Sequence, residues 1–160
     1  MSKIQFASSS ITVYGSSAAG AFVLGYAGKY PEEIDNIILQ APVWEYNWFE
    51  EAETQGELQE EMLFVKRAFK HIYRMKFDNL VVQLQKFADI HIENYGKKIK
   101  QPILLFHDKQ DSVVPFSHTT RAMKILTTNI LLENNSYGNS PNLDELKTLL
   151  PTIKKFILQI

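Results

Sequence analysis

Between a β-branched run and a helical pattern, residues 11–20 read ITVYGSSAAG, which sets a hydroxyl, that of Ser17, at the apex of a sharp strand-to-helix turn. A serine hydroxyl is a weak nucleophile until a neighbouring base takes its proton and a third group orients that base. The turn itself is costly, because a non-glycine residue in a sparsely allowed backbone region stores roughly 1–3 kcal/mol. The converging strand and helix leave room only for small side chains two residues to either side, where Gly15 and Ala19 stand, with Gly20 following. Other groups able to move protons are the histidines His71, His91, His107 and His118. The chain has no cysteine, which excludes thiolate chemistry and disulfides. His107, Asp108 and Asp111 crowd one polar turn. Adjacent residues on a turn point in different directions, and the next histidine is not at a ligand-pair spacing, so neither a metal nor another cofactor is expected.

The elements that must position these groups alternate. Strand-like runs cover Ile11–Gly15, Asp35–Gln40, Pro102–Phe106 and Thr128–Glu133, each short and apolar at consecutive positions, as buried parallel strands are. Helical patterns lie between them. Ser17–Tyr30 repeats Ala18, Phe22, Tyr26 and Tyr30 at four-residue spacing and is closed by Pro31. Ser117 to Leu126 carries Ala122, Met123 and Leu126, and the stretch from Asp144 carries Leu146, Leu150, Ile153 and Ile157. Strand–helix alternation predicts an α/β fold with a mainly parallel sheet of about four strands, flanking helices and right-handed crossovers. Residues 43–98 interrupt it as a helical, cap-like insertion, leaving 1–42 and 99–160 as the core. Within the insertion Leu58, Met62, Val65, Phe69 and Ile72 form one amphipathic stripe, and a second helix runs from Asp78 to Asn94, stopped by Gly96. Its basic residues Lys66, Arg67, Lys70 and Arg74 read as a solvated face, and Trp44 and Trp48 as packing between insertion and core. Net charge is −1, which gives no reason to expect nucleic acid or an anionic membrane as partner. Residues 1–10 lack a signal-peptide pattern and no apolar run approaches a membrane span, so the expected location is cytoplasmic.

The strand–turn–helix around Ser17 resembles the nucleophile elbow of the α/β-hydrolases, G-x-S-x-G, with Ala19 in the last position. Two later segments extend the resemblance. Residues 102–115, PILLFHDKQDSVVP, are similar to the family's Gly-x-x-Asp-x-x-Val-Pro segment after a core strand, with Asp111, Val114 and Pro115 matching and Asp108 where glycine is usual. Gly138, Ser140 and Pro141 match a Gly-His-Ser-Pro-type segment, with Asn139 where histidine belongs. The resemblance implies hydrolysis of a carboxylic ester or similar acyl substrate. Ser17 would be the nucleophile, Ala18 an oxyanion donor through its amide, Asp111 the acid, and Asn139 the position of the base. Ser17 and Asp111 are expected at the carboxyl ends of neighbouring strands, on one rim of the sheet, with Asn139 beside them.

An amide cannot take a proton at neutral pH, so Asn139 cannot be a general base. Of the four histidines, His71 and His91 lie in the insertion and His107 at a place that is not catalytic in the family, which leaves His118 as the one surrogate. The resemblance covers only the second half of the family's domain, and the preceding half normally supplies another oxyanion amide. A truncated or inactive hydrolase is therefore expected. The alternatives are a non-catalytic binding or assembly module, or half of a split hydrolase. The first strand would form an open edge, for which a homodimer or a complementary chain is the expected partner.

Overall fold

The computed structural model describes residues 10–44, 92–128, 130–135 and 142–158. Its centre is a four-stranded sheet in the order β1-β2-β3-β4, with β1 at Thr12–Ser16, β2 at Asn36–Gln40, β3 at Ile103–Asp108 and β4 at Ile130–Asn135. All three pairings are parallel, with Tyr14 opposite Ile38, Ile38 opposite Leu104 and Leu104 opposite Leu131. The reason lies in the sequence: β2 and β3 are apolar on consecutive positions and are buried along their whole length, as only strands covered on both faces can be. β1 is buried at Gly15 alone and forms one edge of the sheet.

Helices cover both faces. On one, Ile37, Leu39, Ile103 and Leu105 pack with Leu24 and Ala27 of α1 (Ala19–Lys29), Ile92 and Tyr95 of α2 (Ile92–Tyr95), Ala122 of α3 (Ser117–Ile125), and Trp44. On the other, Ile38, Leu104 and Phe106 meet α4 (Leu143–Leu158) through Leu149, flanked by Leu146, Ile153, Phe156 and Ile157. Burying one such side chain is worth roughly 1.5–3 kcal/mol. No helix among the described residues is long and apolar enough to cross a membrane.

Two helix faces differ from the reading of the sequence. The four-residue repeat in α1 points outward: Phe22, Tyr26 and Tyr30 are exposed, and the buried side is Gly20, Ala21, Leu24, Gly25, Ala27 and Gly28. Close approach decides this. A Cβ on Gly28 would stand 2.6 Å from the Cβ of Tyr95, whose hydroxyl donates to the Ala21 carbonyl at 3.2 Å. An aromatic stripe cannot pack that tightly, and a glycine–alanine face can. In α4 Leu146, Ile153 and Ile157 face the sheet as the sequence pattern has them, but the buried residue between is Leu149 and Leu150 is exposed, with Phe156 joining the stripe. Trp44 is buried in the core. The helices expected over Leu58–Ile72 and from Asp78, with Trp48, His71 and His91, lie outside the described residues, apart from Ile92–Tyr95 and the 3₁₀ turn Gly96–Lys98.

Candidate active site

The end of β1 is bent as its sequence demands. Ser17 has φ 50°, in the left-handed region, and Ala18 is already helical at φ −55°, so α1 begins within two residues of the strand. Hydrogen bonds determine the bend: the Ser17 amide donates to the Gln40 carbonyl at 2.9 Å, and the Ser17 carbonyl accepts from Gly20 at 3.0 Å and Val43 at 2.9 Å. Strand, helix and the chain leaving β2 thus converge on one residue. Two glycines make room. A Cβ on Gly15 would lie 2.8 Å from Val23 Cγ2, and one on Gly20 only 2.5 Å from the Pro42 Cβ. Ala19, the position that departs from the elbow pattern, is exposed, so its methyl group faces open space.

The same construction recurs one strand on. Ala41, directly after β2, has φ 40°, and its amide donates to the Phe106 carbonyl at 2.8 Å. Nothing in the sequence marks that alanine for a left-handed conformation; the geometry of parallel strand ends imposes it.

Asp111 follows β3 at the same rim of the sheet, since all strands run parallel. The strand order separates Ser17 from Asp111 by β2, where adjacent strands had been expected, and no hydrogen bond joins the two residues. The acid is buried and well held. Its Oδ1 accepts the amides of Val113 at 2.8 Å and Val114 at 2.9 Å, while Oδ2 is buried without a hydrogen-bond partner, 3.5 Å from His107 Nε2. Burial favours the neutral acid, but the His107 contact and the two amides outweigh it, so the carboxyl titrates below the ordinary carboxylate range.

His107, which the sequence did not single out for a role, organises this corner. It is fully buried, with Nε2 2.9 Å from the Val114 carbonyl and Nδ1 2.6 Å from the Thr119 hydroxyl. A carbonyl only accepts, so Nε2 carries the proton and, in the neutral ring, Nδ1 accepts from Thr119. β3, the loop after it and α3 are clamped together through this one imidazole. The sequence signal was a polar residue continuing a fully apolar strand. Asp108 ends β3, and its Oδ1 accepts the Gln110 amide at 2.8 Å, closing the turn where glycine is usual in the elbow's family.

His118 stands in the first turn of α3, nine-tenths buried, and burial, with His107 and Arg121 nearby, pushes its pKa down to about 4. Asn139 lies outside the described residues, β4 ending at Asn135.

The fold is shared with known structures. No family model matches the sequence, and no curated protein matches it. Among solved structures the chain is similar to acetyl xylan esterase 1 from Thermoanaerobacterium sp. (TM-score 0.60, 20% identity, covering 92% of this chain and 44% of that one). It is also similar to mouse alpha/beta hydrolase domain-containing protein 10 (TM-score 0.65, 16% identity, 98% and 65% covered). A third is a monoacylglycerol lipase of Paleococcus ferrophilus (TM-score 0.57, 13% identity, 94% and 68% covered). The described sheet and helices therefore have the α/β-hydrolase fold. The chain spans between 44% and 68% of the length of these structures.

Proposed function

We propose that this chain carries the nucleophile and acid positions of a serine acyl-hydrolase site, acting in its ancestral form on a carboxylic ester or similar acyl substrate, and that it now lacks the base needed for turnover. The observation that carries the proposal is the left-handed Ser17 at the junction of β1 and α1. In this reading the Ser17 hydroxyl faces an acyl carbon, Ala18 lends its amide to the developing oxyanion by its place directly after the nucleophile, and Asp111 is the orienting acid.

The missing step is removal of the serine proton. Asn139 has no basic nitrogen. Both ring nitrogens of His107 are engaged, by Thr119 and Val114. His118, pushed down to about 4 by burial, is too weak a base for efficient proton transfer at neutral pH. Loss of the general base alone costs a serine hydrolase about 10⁶ in turnover.

Hydrolysis of p-nitrophenyl acetate, measured with fluorophosphonate labelling, tests the reading. The expected result is turnover near the buffer rate, unchanged in Ser17→Ala. Hydrolysis far above that rate and abolished in Ser17→Ala would show that a base is present, and the inactive reading would fail. The second reading, a non-catalytic assembly module, is favoured by one observation: among the described residues β1 is an edge strand, and it carries no charge and no proline.

A further inference from the structure

Taking Ser17 as the nucleophile position of the proposed function, we propose that Gln40 is its positioning residue. The Gln40 carbonyl holds the Ser17 amide, and the Gln40 side chain braces the strand that leads into the bend.

The peptide between Gln40 and Ala41 is held from two sides. Its carbonyl accepts from the Ser17 amide at 2.9 Å, and its N–H donates to the Phe106 carbonyl at 2.8 Å. The left-handed Ala41 turns the chain directly after this peptide. A displacement of Gln40 therefore moves the acceptor on which the bend at Ser17 closes.

The side chain secures that acceptor. Gln40 stands opposite Ser16 and Phe106, on the face that α4 covers, and only 2% of it is exposed. Its Oε1 accepts from the Tyr14 hydroxyl at 3.0 Å. Tyr14 is itself opposite Ile38, two residues back along β2, so the bond runs diagonally between the strands. It spans Gly15 and Ser16, the two residues directly before Ser17. Glycine leaves a backbone freer than any other residue does, and Gly15 is kept small by Val23, whose Cγ2 would stand 2.8 Å from a Cβ there. The brace restores at that point the restraint that the glycine lacks.

Packing alone does not account for a glutamine here. Gln40 Nε2 is buried and has no hydrogen-bond partner among the described residues. Reversing the amide would pair Nε2 with the Tyr14 oxygen and leave Oε1 unpaired, so one buried polar atom is unsatisfied either way. An unbranched methionine would fill the same space with nothing left unpaired. Such departures from a well-satisfied interior are expected at functional sites, and what this one secures is the place of Ser17.

Stability and positioning should separate in the full chain carrying Tyr14→Phe and Gln40→Met together. Replacing both partners of a buried hydrogen bond by apolar groups of the same shape is nearly neutral or stabilising. The melting temperature should therefore match or exceed that of wild type. Amide hydrogen exchange followed by NMR should nevertheless be about fivefold faster at the Ser17 N–H, the equivalent of one ordinary hydrogen bond. The Ile37 N–H, bonded to the Pro102 carbonyl at the far end of β2, should exchange no faster than in wild type. Gln40→Met alone should give the same increase at Ser17, because both variants lose one and the same bond. Unchanged exchange at Ser17 overturns the proposal. So does an increase that Ile37 shares equally, which marks a residue that only packs. These rates do not depend on turnover, so the ester assay can defeat the proposed function and leave them untouched.

Discussion

Asp111 turns Oδ2 toward His107 Nε2 at 3.5 Å, inside a corner from which both side chains are wholly withdrawn from solvent. Because Oδ1 is already bonded to the amides of Val113 and Val114, the carboxylate is oriented by the loop that follows it and by the histidine that precedes it. The Asp111 side chain is thus held by its own loop and by the last strand before it.

Replacing Asp111 with Asn keeps the shape but sets an amide N–H₂ group against either the two backbone amides or the His107 Nε2–H. Facing His107, the side-chain amide leaves its own N–H₂ unpaired; flipped, it leaves the Val113 and Val114 amides without an acceptor, so either orientation costs at least about 1–3 kcal/mol. The urea midpoint of Asp111→Asn at pH 7 should be lower than that of wild type by a corresponding amount. An unchanged midpoint would mean that the carboxylate does not organise the loop.

The pH dependence of stability follows from His118 and Asp111 together. His118 titrates near 6.5 in an unfolded chain and at about 4 in the fold, so between these values the unfolded state binds more protons. Stability should fall as pH drops through that window, by about 3 kcal/mol at its lower end. Asp111, whose folded pKa is depressed, adds its loss only below the ordinary carboxylate range. His118→Gln should flatten the melting temperature between pH 6.5 and about 4 while leaving the steeper acid limb.

Small residues at the elbow should not be equivalent. Gly20→Ala would drive a methyl group to 2.5 Å from the Pro42 Cβ and 3.1 Å from its Cα, and backbone cannot yield cheaply there. A loss of about 1–3 kcal/mol is expected. Ala19→Gly, at an exposed helix start, should cost no more than about 1 kcal/mol. Thermal unfolding of the two variants measures the contrast.

Restoring the imidazole should be insufficient by itself. Under the proposed function Asn139→His returns a base but no second oxyanion donor, and the lack of one such donor costs about 10²–10³ in rate. Turnover of p-nitrophenyl acetate by Asn139→His should therefore rise above the wild-type background, fall short of full recovery by about that factor, and be abolished by adding Ser17→Ala.

Much of this arrangement was legible in the residues. Consecutive apolar positions gave β2 and β3, and Gly15 with Gly20 around Ser17 gave the bend, because burial on two faces and close approach leave direct marks on residue type. The misreadings share one cause. In α1 the aromatic repeat of Phe22, Tyr26 and Tyr30 looks like a core stripe, yet Gly28 must admit Tyr95, a demand made by a residue far along the chain. Placing Asp111 next to Ser17 failed for a similar reason: strand order is a property of the whole sheet, and no local pattern encodes it. The clamp at His107 depends on Thr119 and Val114, whose contact with it exists only once β3 and α3 have packed.

Trp44 and Ile92 sit in the same hydrophobic cluster, beneath α1 and beside β2 and β3. Two side chains far apart in the sequence are thus wedged into one cluster, and each fills volume that the other cannot. Shaving either one to alanine would open a void under α1, at a cost of about 2–5 kcal/mol, and the loss would be felt where α1 begins, at the bend that holds Ser17.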